Sequence, residues 1–223
     1  MKYLRIAIDG ACRNNGKPNC VSAGGIFVQV VNDGVIEEFN TDSLYETQST
    51  SQRGELLALY YCVSLVEDKC LPAQIITDSE YMFNTVTRRW YESWRNNNWK
   101  TSRGDDVKNK DLWALIVDLL DRIEHKGIEF TMYHIKGHVM PYGKVGGLAS
   151  LTIDSSGRQI YELAEQKYLL TKDSLVDKVK YAQEVSVKNN GFELDEATLK
   201  DFVVANVVAD LVATHKVEIA KQS

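Results

Sequence analysis

Cysteine is scarce. Cys12, Cys20, Cys62 and Cys70 are too few and too widely spaced to form a disulfide framework in 223 residues, and none forms a C-x-x-C pair. They read as reduced thiols. Long apolar runs are also missing: the longest, Leu56 to Val66, contains Ser64 and falls well short of the roughly 18–20 residues needed to cross a bilayer. Asp9 cuts off the apolar start Tyr3 to Ile8 before it reaches the roughly 7–15 residues of a secretory core. Membrane insertion and export are thereby disfavoured, and a cytoplasmic protein is expected. No internal repeat or low-complexity tract appears. Excess positive charge is lacking too, because the net charge is -5, unfavourable at first sight for a partner with a phosphate backbone.

What is present belongs to an ordinary globule. The chain is 44% hydrophobic and 26% charged, long enough for one large domain or one domain with an insertion. Charge is unevenly placed along it. Arg88, Arg89, Arg95, Lys100, Arg103, Lys108 and Lys110 face only Glu92, Asp105 and Asp106 within 88–110, a local +4 that leaves -9 for the rest.

Strand-like and helix-like patterns alternate, which predicts an α/β fold with helices packed on a mixed sheet. Tyr3 to Ile8, Gly24 to Val31 and Val35 to Asn40 read as three antiparallel strands, the last two joined through the hairpin chemistry of Asn32-Asp33-Gly34. Thr50-Ser51 caps a helix whose Leu56, Leu59, Tyr60 and Val63 recur at core-facing spacing. A strand at Ile75 to Thr77, a helix from Ser79 to Trp90, a helix from Asp111 to His125 ended by Gly127, and a strand from Phe130 to Ile135 follow. A Gly- and Ser-rich stretch from Gly143 to Gly157 suggests a flexible loop. Helical patterns then resume at Leu175 to Val185 and Asp195 to Ile219, separated by a break at Asn189-Asn190-Gly191.

Three carboxylates come from three neighbouring elements. Asp9 follows the first apolar strand, where it should protrude at a strand end, Glu55 lies one turn into the first helix, and Asp78 ends the fourth strand, where open α/β sheets place ligand sites. Taken singly, they read as a turn, a solvated helix face and a helix cap. Asn206 and Asp210, four residues apart, share a helix face among the apolar Val203, Val207 and Leu211, where an unpaired charge is costly.

Together these blocks resemble the type 1 ribonuclease H family, in its bacterial form with a basic protrusion. The resembling residues are Ile8-Asp9-Gly10-Ala11-Cys12, Thr50-Ser51-Gln52-Arg53-Gly54-Glu55-Leu56, and Ile76-Thr77-Asp78-Ser79-Glu80-Tyr81. Trp90, Trp94, Trp99-Lys100-Thr101, Val107 to Trp113, Ile135-Lys136-Gly137-His138, and Asn206 with Asp210 complete the set. The resemblance implies a ribonuclease H-like fold: a five-stranded mixed sheet, three strands antiparallel and two parallel, flanked by helices. It implies an endonuclease that hydrolyses the RNA strand of RNA/DNA hybrids, leaving 5'-phosphate and 3'-hydroxyl ends.

The same resemblance assigns Asp9, Glu55, Asp78 and Asp210 to a site for two Mg²⁺ ions, with Mn²⁺ as an alternative. Hard cations take oxygen ligands, and clustered carboxylates without a cation would raise one another's pKa. His138 is assigned an assisting role in proton transfer or product release, suited to a side chain that titrates near neutrality. Substrate contacts fall to Cys12, Asn15, Thr50, Ser51 and Gln52 and, in the basic protrusion, to Trp90, Ser93, Trp94 and Lys100, with Asn206 beside the last acid. Trp90 and Trp94 lie one helical turn apart, so at least one is expected to pack into the core.

One departure stands out. His138 and Asp210 are separated by 72 residues, several-fold more than the family usually leaves. This divides the chain into a core at 1–138, a mostly helical insertion at 139–200 and a C-terminal helix at 201–223 that completes the site. Asp154, nearer to His138, competes with Asp210 but lacks the Asn-x-x-x-Asp-Leu context. Gly54 inside a helix is a smaller departure, costing about 1 kcal/mol relative to Ala. A monomer is expected, with the insertion as a surface for a protein partner. Two other readings compete: a hybrid-binding module with weak catalysis, and another nuclease of the same superfold, such as a resolvase or integrase core.

Overall fold

The hairpin signal forms the turn that its residues favour. Asp33 and Gly34 both take positive φ, 50° and 81°, as a two-residue turn between right-twisted strands requires. They join β2 (Val21–Asn32) to β3 (Val35–Thr47), and β1 (Lys2–Arg13) pairs with β2 along its whole length. All three strands run longer than the apolar patterning alone predicts. The computed structural model describes residues 1–15, 17–137, 148–153, 159–163 and 187–220.

The sheet has the order β3-β2-β1-β4-β5, with β4 (Ala73–Thr77) parallel to β1 and β5 (Phe130–His134) parallel to β4. This is the expected arrangement of three antiparallel strands followed by two parallel ones. Side chains alternate between its faces. Ile6, Ile8, Ile26 and Ile75 join the core beneath α1 (Ser51–Lys69) and α4 (Lys110–His125), whereas Ala7, Phe27 and Ile76 join the core beneath α5 (Glu196–Ala220).

Two adjacent glycines on β2 let a helix approach from each side. A Cβ on Gly24 would lie 2.5 Å from the Gly54 carbonyl oxygen and 2.7 Å from the Ala58 nitrogen, both on α1. On Gly25 it would lie 2.0 Å from the Ala209 oxygen and 2.5 Å from the Ala213 nitrogen, both on α5. Gly54 has the reciprocal constraint, since its own Cβ would meet the Ala23 oxygen at 2.6 Å. The helix-weakening glycine thus has a packing reason: only hydrogen fits between α1 and β2.

The helix expected from Ser79 to Trp90 is present but ends at Thr87, and a short further helix starts at Trp90. α2 (Glu80–Thr87), capped by the Ser79 hydroxyl, has its C-cap at Arg88; Arg89 then takes φ 51°, and α3 (Trp90–Asn96) follows. Trp94 packs edge-on against the buried Trp113 at 5.7 Å, while Trp90 remains 39% exposed, so one of the two tryptophans packs as expected. α5 matches the predicted final helix to within one residue. Between β5 and α5, β6 (Leu148–Ile153) and β7 (Gln159–Leu163) form a separate antiparallel pair that the patterning did not indicate. The helix expected at Leu175 to Val185 lies outside the described residues.

Candidate active site

Asp9 does not sit at the end of its strand. β1 continues against β2 to Arg13, and Asp9 is only 7% exposed, which corrects the expectation of a protruding strand-end carboxylate. The physical reason lies on the other edge of β1, where pairing with β4 stops at Ala7 opposite Ile76. Continuing that register sets Asp9 level with Asp78, just past the end of β4. The carboxylate therefore lies in the gap that a shorter neighbouring strand leaves open.

Three elements deliver the other acids to this gap. β4 ends directly before Asp78, whose carboxylate lies against Gly137; a Cβ there would sit 1.6 Å from Asp78 Oδ2. Thr50 caps α1 by accepting from the Arg53 N–H at 3.4 Å, and one turn later the stem of Glu55 lies on Gly10, leaving no room for a Cβ there. Glu55 Oε2 accepts from the Ser79 hydroxyl at 2.6 Å. Asp210 follows Ala209, which packs on Gly25, the cross-strand partner of Asp9.

Electrostatics register this convergence. Burial holds the Asp9 carboxyl well above the usual carboxylate range, and the charges of Asp78, Asp210 and Glu55 push it further the same way, against the Gly10 N–H that bonds its Oδ1 at 2.6 Å. Glu55 is raised as well, mainly by burial and also by Asp78, with the Ser79 hydroxyl opposing. Such a group favours protonation unless a cation joins it. Asn206, one turn before Asp210, is 2% exposed, and its Nδ2 donates to nothing among the described residues. Among the described residues, no group of three or more histidine, cysteine, aspartate or glutamate side chains is arranged to hold a metal ion.

The remaining site residues fall into two groups. Asn15 reaches Ser51 (Nδ2 to Oγ, 3.5 Å), which places Asn15, Thr50, Ser51 and Gln52 at the N-terminus of α1, one turn from Glu55. Cys12 touches Cys20, sulfur to sulfur at 2.8 Å, and its thiol is pushed up to about 12 by burial and this contact. Trp90, Ser93 and Trp94 lie on α3, and Lys100 in the loop after it. The basic segment is partly neutralised: Arg89 pairs with Glu92 and Glu124, Arg95 with Asp121, and Lys100 with Asp106. Arg88, Arg103, Lys108 and Lys110 form no ion pair among the described residues. His138 and Asp154 lie outside the described residues.

Sequence reasoning missed His134. Its imidazole is 5% exposed, its Nε2 donates to the Asp78 carbonyl at 3.1 Å, and burial lowers its pKa. A histidine ending an apolar strand next to an acid-bearing strand was the available signal.

The comparisons with known proteins agree with this geometry. Residues 1–145 match the RNase H family model. A Ribonuclease H of Clostridium botulinum is 35% identical over 138 residues, covering 62% of this chain and 85% of that one. A Ribonuclease H of Actinobacillus pleuropneumoniae is 37% identical over 139 residues, covering 62% and 80%. The crystal structure of Prototype Foamy Virus Protease-Reverse Transcriptase shares the fold at a TM-score of 0.51 and 19% identity, over 65% of this chain and 19% of that one. The family match and these relatives define the class, a nuclease. The chain belongs to the RNase H family.

Proposed function

We propose that this protein is an endonuclease that hydrolyses the RNA strand of RNA/DNA hybrids at the site formed by Asp9, Glu55, Asp78 and Asp210. The observation that carries this reading is the raised Asp9 carboxyl with three further acids in its field, on a chain whose relatives are named Ribonuclease H. The donor set is all carboxylate, the oxygen chemistry that hard divalent cations take. Mg²⁺ needs only a few protein carboxylates and fills its other positions with water and phosphate oxygens, so an open cluster suits it better than a cage. Two such ions supply a lowered pKa for attacking water and charge neutralisation at the leaving oxygen of an in-line displacement.

The chain's own residues do the positioning. Asp9, fixed in the β1–β2 ladder and held by the Gly10 N–H, forms the rigid floor of the site. Ser79 holds the Glu55 carboxylate, and Gly137 leaves room for Asp78. Asn15, Thr50, Ser51 and Gln52 offer small polar groups of the size that reaches the 2'-hydroxyls and phosphates of a hybrid minor groove. Trp90, Ser93, Trp94 and Lys100, with Arg88, Arg103, Lys108 and Lys110 in the same segment, offer a second contact along the duplex, and His138 assists the proton transfer. The protein acts as a monomer in the cytoplasm, in keeping with four free thiols, and residues 139–200 offer a surface to a protein partner.

The test is cleavage of end-labelled RNA/DNA hybrid, double-stranded RNA and double-stranded DNA in Mg²⁺. Cutting of the RNA in the hybrid alone is expected, with 3'-hydroxyl ends. Cutting of double-stranded DNA instead would point to a resolvase-like or integrase-like enzyme, and hybrid binding without cleavage to a binding module.

A further inference from the structure

Among the described residues β5 is the last strand of the sheet, with no strand paired to its outer edge. In a parallel ladder the N–H and C=O of one residue point to the same side, and Ile135 donates inward to Thr77, so His134 presents both main-chain groups outward. Asn190 meets both. Its Oδ1 accepts from the His134 N–H at 2.9 Å, and its Nδ2 donates to the His134 carbonyl at 2.9 Å. One side-chain amide thus takes the place of a neighbouring strand at that residue.

Asn189 holds the other end of His134. Its Nδ2 lies 2.8 Å from His134 Nδ1, while His134 Nε2 lies 3.1 Å from the Asp78 carbonyl oxygen. An amide nitrogen only donates and a carbonyl only accepts, so the neutral ring carries its proton on Nε2. Turning the Asn189 amide round would move that proton to Nδ1 and leave two acceptors facing each other at Asp78. The arrangement is self-consistent in one direction only. Gly191, at φ 79°, ends the helical turn at 187–190, and α5 begins five residues later. The chain therefore touches the sheet beside Asp78 just before the helix that carries Asp210.

We propose that Asn189 and Asn190 are positioning residues: they clamp His134, which in turn fixes the main chain of Asp78 within the carboxylate cluster. The inference rests on the reading of Asp78 as part of the site. It gives the last residues of the insertion a role in assembling that site, one that the core alone does not provide.

The test uses the full chain and reads three quantities. Long-range ¹H–¹⁵N NMR should show His134 as a single Nε2–H tautomer; in Asn189→Ala the ring should lose that single form, and in Asn190→Ala the His134 amide should exchange faster. Titration with Mn²⁺ alone should show about tenfold weaker binding in each variant, the scale expected when a partner that orients a ligand is removed. Hybrid cleavage should lose kcat, with KM within about twofold, because these residues touch the site and not the duplex. If Asn189 acts through His134, Asn189→Ala should add nothing to His134→Phe. The isosteric Asn189→Asp guards against misfolding, since it keeps the volume but demands a proton on Nδ1.

Wild-type Mn²⁺ affinity and kcat in both alanine variants, or additivity with His134→Phe, would overturn the clamp. Should the wild-type chain cut no hybrid, the nuclease reading fails by itself, and the tautomer and Mn²⁺ measurements still decide the clamp.

Discussion

α1 and α5 solve one problem twice, from opposite faces of the same strand. Each lies so close to β2 that the residue beneath it must be glycine, Gly24 for α1 and Gly25 for α5. Each carries an acid beside its contact point, Glu55 after Gly54 and Asp210 after Ala209. Their surroundings differ. α1 has a capped N-terminus and a mixed face, and it lies within the segment that matches the family model. α5 lies beyond that match, and from Phe202 to Ala209 it is buried on every side. Close docking on adjacent glycines is thus shared by a helix inside the matched segment and a helix beyond it.

Removing the carboxylate that both helices serve should have the largest effect. Asp9→Asn is expected to lower single-turnover cleavage of hybrid by about a thousandfold or more, the scale of losing cation-assisted stabilisation of the transition state. The same variant should raise the melting temperature in EDTA by about 2–4 °C for each kcal/mol of relieved repulsion. Activity without Asp9 would dissolve the comparison, since the two helices would no longer share a target.

Gly25→Ala should come next, because the added methyl meets main chain at 2.0 Å and not a flexible side-chain tip. A loss of about 2–4 kcal/mol in urea unfolding is expected, with Gly24→Ala costing somewhat less at its 2.5 Å contact. A neutral Gly25→Ala would mean that α5 does not dock as described.

The raised Asp9 and Glu55 carboxyls set the pH dependence. In the metal-free protein they hold protons more tightly folded than unfolded, so stability should fall as pH rises from the ordinary carboxylate range through their raised values. Mg²⁺ should cancel that fall and shift the acid limb of activity to lower pH as its concentration increases. Melting curves across pH, in EDTA and in Mg²⁺, test the sign. The smallest effect concerns α1 alone: Thr50→Ala removes its cap and should cost about 1 kcal/mol.

Local chemistry made much of this legible in the sequence. Asn32-Asp33-Gly34, the Thr50 cap and the periodicities of α4 and α5 act over a few residues, and each appears where it was read. The left-handed Arg89 between α2 and α3 was not legible, because nothing in the local pattern marks it. Gly54 carried no local explanation either, since its reason is the Ala23 carbonyl on another strand. Asp9 looked terminal because β4 is shorter than β2, a fact of pairing and not of patterning. Asn189-Asn190 read as a break, but both lie in the helical turn at 187–190, and their contact with His134 spans more than fifty residues.

The central claim is that Asp210, brought by α5 over Gly25, joins Asp9, Glu55 and Asp78 around bound cations. Anomalous scattering from crystals soaked in Mn²⁺ tests it directly. The account expects ions in the gap beyond β4 with Asp210 among the coordinating carboxylates, whereas ions held by the other three acids with Asp210 turned away, or no ion there at all, would contradict it.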